Sequence, residues 1–336
     1  MNPSARLFPS PSKRRSAALL RGFTLLELMA AMVITTIIIT ILVSVTSMAV
    51  DTFNKSRAEL RAARQARSIL DAMAIDLQGL MIKTGNSAEW LVARERTTKP
   101  GPGSEPSPSA VDFVFLTGAT DRYKGAGSGT SAATSFGDVS CSAYWLEFKD
   151  VVGTYSGAAE ESLATFVMNR QLVDPDVAYT KNVIGAEDLV AALNGPGELS
   201  IDTIRSTLGL PEEKANVVTG FVCENVHQFS LTFHLEVSKS GSTVQVPVTV
   251  GPDAAGNSVE SFRVKGTGVV IDPLPSGFTA DEIASARLKS VSISLSVLTD
   301  SAVARLRSGA VPGGNLDDFI NRNSNNFTRL VELSGM

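Results

Sequence analysis

Few side chains in this chain are able to do chemistry, and their spacing limits what that chemistry could be. There are two histidines, His227 and His234. On a regular strand their odd separation puts them on opposite faces, so they do not readily share a metal. No HExxH, no paired CxxC and no GxxxxGK phosphate loop occurs. The stretch "GAGSGTSAATSFG" at 125–137 is rich in Gly and Ser, but a dinucleotide site needs a strand before it and a helix after it. Its "SGTSA" is also not a GxSxG nucleophile elbow. A flexible loop is the reading of that stretch. The acid pairs Glu160-Glu161, Glu212-Glu213 and Asp317-Asp318 read as solvated charges. Asn321, Asn323 and Asn325 alternate ahead of Glu332, yet the leading Asp and the Gly of a calcium loop are missing, so a polar tail is expected. No catalytic group, no metal site and no cofactor is expected, and the chain reads as something other than an enzyme.

Two cysteines, Cys141 and Cys223, leave two readings open. In an oxidising compartment they form a possible disulfide whose closed loop would contribute on the order of 4 to 5 kcal/mol in the chain-entropy model. Otherwise they are two buried thiols.

One carboxylate stands in an unusual place. Residues 21–27 read "RGFTLLE", and Glu27 opens onto Leu28–Val50, 23 residues without a charged side chain, Gly or Pro. A bilayer takes roughly 20 helical residues and a secretory signal core about 7 to 15, so the length favours a span. Thr35, Thr36 and Thr40 are able to return their hydroxyls to the preceding helical turn. Residues 1–22 carry Arg6, Lys13, Arg14, Arg15 and Arg21 with no acid; with a net charge of -4 overall, -9 is left for the rest. That bias places the N-terminus in the cytoplasm and the bulk of the chain across the membrane.

The elements that must hold this segment follow from periodicity. Beyond the apolar run, Phe53, Leu60, Ala63, Ala66, Leu70, Met73, Leu77 and Leu80 recur at spacings of three, four and seven. A single helix about 85 Å long is expected, apolar all round in its first half and amphipathic over 51–83. Strict alternation in "FSLTFHLEV" from Phe229 and "VSISLSVL" from Val291 predicts half-buried antiparallel strands. Further strands are expected at "VDFVFL" from Val111, "AYWLEF" from Ala143, "LATFVMNR" from Leu163 and "VQVPVTV" from Val244. Short helices are expected at 186–193, 201–208 and 281–288, the last behind a capping box at Thr279–Glu282. Gly, Pro and Ser-rich segments at 97–110 and 117–138 read as loops. The fold class is α+β, with the amphipathic half of the helix covering antiparallel sheet. A hydrophobic content of 43% over 336 residues is enough for a packed core.

The order of basic leader, Gly22-Phe23, Glu27 and apolar span resembles the class III signal of type IV pilins and type II secretion pseudopilins. The resemblance implies that residues 1–22 are a leader removed by a prepilin peptidase cutting between Gly22 and Phe23, with N-methylation of Phe23. It implies an assembly helix at 23–50 continued over 51–83, and a periplasmic β-rich domain at 84–336. It further implies that Glu27 pairs with the Phe23 amine of a neighbouring subunit, an assembly salt bridge that neutralises a costly carboxylate at the edge of hydrocarbon. In layout the chain resembles the minor pseudopilin J, through "ENVHQFSLTFHLEV", "ARLKSVSISLSVLT" and "FVMNRQLVD", and also the Verru_Chthon cassette protein C family. The 22-residue leader is longer than is usual for such substrates, and Ser44 stands where many pilins place a helix-kinking Pro.

The function this implies is a minor subunit of a periplasmic pseudopilus in a type II secretion-like system, held in the inner membrane before assembly. The implied partners are the prepilin peptidase and other pseudopilin or pilin subunits, met through the N-terminal helix. The alternatives are a minor type IV pilin in adhesion or DNA uptake, or a membrane-anchored ectodomain. No nucleic acid partner is expected, because the charges in the long loops nearly cancel.

Overall fold

A computed structural model describes residues 24–96, 111–118, 139–149, 165–210, 221–239, 241–252, 258–307 and 316–333. The chain divides into two compact units, 1–55 and 56–336. A 54-residue helix, α1 (Leu25–Gln78), supplies the described structure of the first unit and enters the second. In the first unit every described side chain is exposed, including Leu26, Ile34, Ile38 and Leu42. Within the second unit the helix turns amphipathic and buries Ala66, Ile69, Leu70, Met73, Ala74 and Leu77.

Two sheets make up most of the second unit. The larger has seven antiparallel strands in the order β10-β9-β1-β2-β3-β4-β5. They are β1 (Glu89–Glu95), β2 (Val111–Gly118), β3 (Val139–Lys149), β4 (Thr165–Val173), β5 (Phe221–Glu224), β9 (Ser261–Lys265) and β10 (Gly268–Asp272). The smaller runs β12-β11-β6-β7-β8, antiparallel except for the short β7/β8 pair. Its strands are β6 (Val226–Lys239), β7 (Ser242–Val250), β8 (Ser258–Val259), β11 (Arg287–Leu298) and β12 (Ser324–Glu332).

Strand alternation decides where the core lies. Phe229, Leu231, Phe233, Leu235 and Val237 of β6 point one way and are buried, while Ser230, Thr232, His234 and Glu236 point the other way and are half-buried. The inner faces of both sheets and the amphipathic part of α1 share one core. Phe233 of the small sheet stacks on Phe262 of the large one, ring centroids 3.9 Å apart. Each fully buried Leu, Ile or Phe here contributes roughly 1.5 to 3 kcal/mol. A second core lies on the other face of the large sheet. There Trp145 and Leu116 pack against three short helices, α2 (Pro175–Thr180), α3 (Leu189–Asn194) and α4 (Ile201–Leu208). A third, small cluster joins Phe166 and Leu298 to α6 (Asp300–Arg307) and α7 (Leu316–Asn323).

The α+β layout with a long N-terminal helix on antiparallel sheet is therefore observed. Several expected boundaries move. The helix stops at Gln78 rather than Lys83, because Gly79 runs against β2. A Cβ at Gly79 would meet Thr117 Oγ1 at 2.6 Å, and Thr117 Oγ1 is already donating to the Asp76 carbonyl at 2.8 Å. Gly79→Ala is expected to lower stability by about 1 to 3 kcal/mol through overpacking, read as a drop in the thermal midpoint. Thr117 and Gly118 end β2 rather than opening a loop; the rest of the expected loops, 97–110 and 119–138, lie outside the described residues. The helix expected at 281–288 is cut to α5 (Ala280–Ala284), because Arg287 already begins β11. Its capping box is present: Thr279 N donates to Glu282 at 2.9 Å and Glu282 N to Thr279 Oγ1 at 3.3 Å. The expected polar tail is instead α7 followed by the nine-residue edge strand β12.

Candidate functional site

Thr24 and Glu27 open α1 as a capping box. The Thr24 backbone N–H and hydroxyl both donate to Glu27 Oε2 at 3.1 Å, and the Glu27 N–H donates to Thr24 Oγ1 at 3.3 Å. This satisfies amides that the first turn of any helix leaves without an intrahelical acceptor. The signal, Thr-x-x-Glu before an apolar run, was in the sequence and passed unnoticed beside the charge-pair reading. Gly22 and Phe23 lie outside the described residues, so the cleavage point and the amine that Glu27 would meet are not placed. Behind the box, the Thr35, Thr36 and Thr40 hydroxyls donate to the carbonyls four residues earlier, each at 2.8 Å, as expected, and Thr46 and Thr52 do the same. Bonded this way, five hydroxyls cost little in hydrocarbon. The helix is long and apolar enough to cross a membrane.

At the other end of α1 sits a buried carboxylate that periodicity did not single out. Asp76 is 1% exposed. Arg170 of β4 grips it from two nitrogens, with Nη2 at 2.8 Å and Nε at 3.0 Å from Oδ2, and β3 adds Tyr144 OH at 2.6 Å and Ser142 Oγ at 3.2 Å. Burial first, then the Asp76 charge, pushes the Tyr144 phenol well above its ordinary range, so it stays protonated and donates. The cluster ties the last turns of α1 to β3 and β4 of the large sheet. Arg170 is the arginine of "FVMNRQLVD", and its partner is the helix.

Carboxylates of the large sheet also hold the helical cover on its far face. Glu89 accepts the Leu189 N–H at 2.8 Å, Asp112 accepts the Leu199 N–H at 3.0 Å, and Glu147 accepts the Ile201 N–H at 3.1 Å. Arg96 braces the same segment: it lies 3.5 Å from Asp112 and 3.2 Å from Glu198, and donates to the Leu199 carbonyl at 2.9 Å. Burial raises the Asp112 carboxyl to about 6, outweighing Arg96 and the Leu199 N–H, which both lower it. A folded-state pKa above the unfolded one means that the folded protein holds the proton more tightly. Ionised Asp112 therefore costs stability above about pH 6, and that cost disappears as pH falls toward the unfolded value of 3.8. The stability of the natural chain relative to Asp112→Asn is expected to rise as pH falls from about 6 toward 3.8, measured by urea midpoints at each pH.

The other residues singled out by sequence do not come together. His227 is buried at a bulge where Val226 and Gln228 pair with successive residues of β11, and it meets Phe166 edge-on at 5.8 Å. His234 lies on the opposite, half-exposed face, at a shallow pocket beside Gln245, Lys289 and Leu330. Cys141 and Cys223 are free and buried, so the disulfide is not formed. Cys141 packs in the core under α2–α4 and Cys223 in the core shared with α1, on opposite faces of the large sheet. Burial pushes both thiols up, the second to about 12, and they sit as small apolar side chains. Among the described residues no cluster of His, Cys, Asp or Glu could hold a metal ion.

A capped apolar helix enters at a carboxylate, continues into an amphipathic stretch and closes on antiparallel sheet, an α+β layout that fits a pilin-like fold. Residues 21–43 match the family described as the prokaryotic N-terminal methylation motif. No curated protein and no solved structure matches the chain.

Proposed function

We propose that this chain is a minor pilin-like subunit, a pseudopilin, that assembles through its N-terminal helix into a short periplasmic filament of a type II secretion-like system. The observation that carries the reading is Glu27, held at the start of an exposed apolar helix inside a matched methylation motif. A prepilin peptidase is the processing partner, cutting between Gly22 and Phe23 and leaving a methylated Phe23 amine. That amine is the cation Glu27 needs. The other partners are pilin-like subunits whose helices pack against the apolar run, and the role is assembly rather than catalysis. Orientation rests on the motif. Five basic residues precede the span, and five more, Lys55, Arg57, Arg61, Arg64 and Arg67, follow closely behind it. The short-range charge count is therefore level, and the net charge of a distant domain carries little weight.

The test is the intact mass and N-terminal residue of the membrane-extracted protein from cells that contain the peptidase. A chain beginning at methylated Phe23 is the expected result. A chain that keeps its leader overturns the reading and leaves a signal-anchored ectodomain.

A further inference from the structure

The two sheets have four edges, and they are not protected alike. At the large sheet, β5 has four residues and a register shift against β4. At its other edge β10 has five residues, runs into Pro273 and is crowded by α5, where a Cβ on Gly268 would meet the Ala284 carbonyl at 2.2 Å. At the small sheet, β8 has two residues. The fourth edge, β12, has nine residues paired to β11 without a register shift, and contains neither Pro nor Lys. Proteins blunt edges by shortness, bulges, Pro, Lys or cover, because a row of open N–H and C=O groups is a template for another strand. Among the described residues none of those devices is found at β12. Its one inward charge, Arg329, is neutralised by an ion pair with Asp71 of α1.

The register shows which groups are open. Leu333 N donates to the Lys289 carbonyl and Thr299 N to the Asn323 carbonyl, so odd-numbered residues of β12 bond to β11. The N–H and C=O groups of Ser324, Asn326, Thr328, Leu330 and Glu332 then face away from the sheet. No described strand pairs with them. Beside them, Leu330 is 56% exposed on the outer face, and Phe327 is only partly buried on the inner one.

We propose that β12 accepts an extended strand from a different pilin-like subunit, extending the five-stranded sheet across the subunit boundary. Backbone bonds to the even-numbered residues supply the attachment, and apolar side chains set beside Leu330 and Phe327 supply the selectivity. This rests on the reading of the chain as a minor subunit, whose neighbours are mostly other chains.

The test uses the full-length chain in its own cells, with a photo-crosslinking amino acid in place of Leu330 and the products mapped by mass spectrometry. The expected product joins position 330 to an extended segment of another pilin-like subunit. Its yield should fall roughly tenfold in Thr328→Pro, which removes an outward N–H and the Thr328 hydroxyl's bond to Ser294 but no backbone bond to β11. A Gln in place of Asn326, which leaves the backbone free to pair, should keep the yield. Should Thr328→Pro accumulate poorly, Asn326→Lys, an edge charge on the outer face, gives the same fall in a chain with its backbone intact. Cross-links to lipid alone, to a second copy of this chain alone, or unchanged by both Thr328→Pro and Asn326→Lys overturn the proposal. The same spectra report the N-terminal residue. A retained leader defeats the filament reading, whereas a processed chain without a strand partner defeats only the edge.

Discussion

Arg170→Ala is expected to destabilise the globular unit by about 3 kcal/mol, the largest stability loss among the substitutions considered. The substitution leaves Asp76, 1% exposed, with a buried negative charge that has lost its guanidinium, while the Tyr144 and Ser142 hydroxyls still donate to it. Partial exposure of the arginine, 28%, keeps the loss near the lower end of what breaking a buried pair costs. Asp76→Ala should cost less, because the freed guanidinium is able to turn toward water. With both replaced, the loss should fall short of the sum by about 1 to 3 kcal/mol, the signature of two groups that act on each other. Urea unfolding of the detergent-solubilised chain, followed by the fluorescence of buried Trp145, measures all three. Equal and additive losses would mean that the pair contributes no more than its packing.

Glu27→Gln separates the helix cap that Glu27 makes from the assembly salt bridge proposed for it. Glutamine retains the oxygen that accepts from Thr24, and Glu and Gln serve alike at this position of a capping box. The helix start should survive, and cleavage after Gly22 should proceed. What glutamine removes is the charge that would meet the Phe23 amine, so incorporation into filaments is expected to fall about tenfold or more, as for a charged pair in hydrocarbon. Glu27→Ala should lose the charge and also about 1 kcal/mol of capping. Quantifying sheared filaments against total processed protein distinguishes them. If Glu27→Gln assembles normally while Glu27→Ala does not, the cap rather than the salt bridge is what assembly requires.

How much was legible in the sequence depended on how local the cause was. Residues 21–50 announce themselves because a span is a property of a continuous stretch, and hydroxyl back-bonding reaches only one helical turn. The alternating runs of β6 and β11 were readable for a similar reason: a strand with one face buried writes its period into the chain. The strands β1, β5, β8, β9 and β10 were missed. β1 is buried on both faces over most of its length, and the others are short, so neither gives a clear alternation. β12 was missed because Asn, Thr and Arg alternate with few apolar residues, and an edge strand needs only one paired side.

The sequence by itself determined a helix long and apolar enough to cross a membrane, the N-terminal methylation motif, the α+β class and the lack of a recognisable catalytic pattern. Tertiary structure alone decided the partners of residues far apart in the chain. Asp76 meets Arg170 across 94 positions, Asp112 meets Leu199 across 87, and the two thiols fall on opposite faces of one sheet. Such pairings are set by strand order and by which face a helix covers. Neither is written in any local period, and both follow only when the whole core has been assembled.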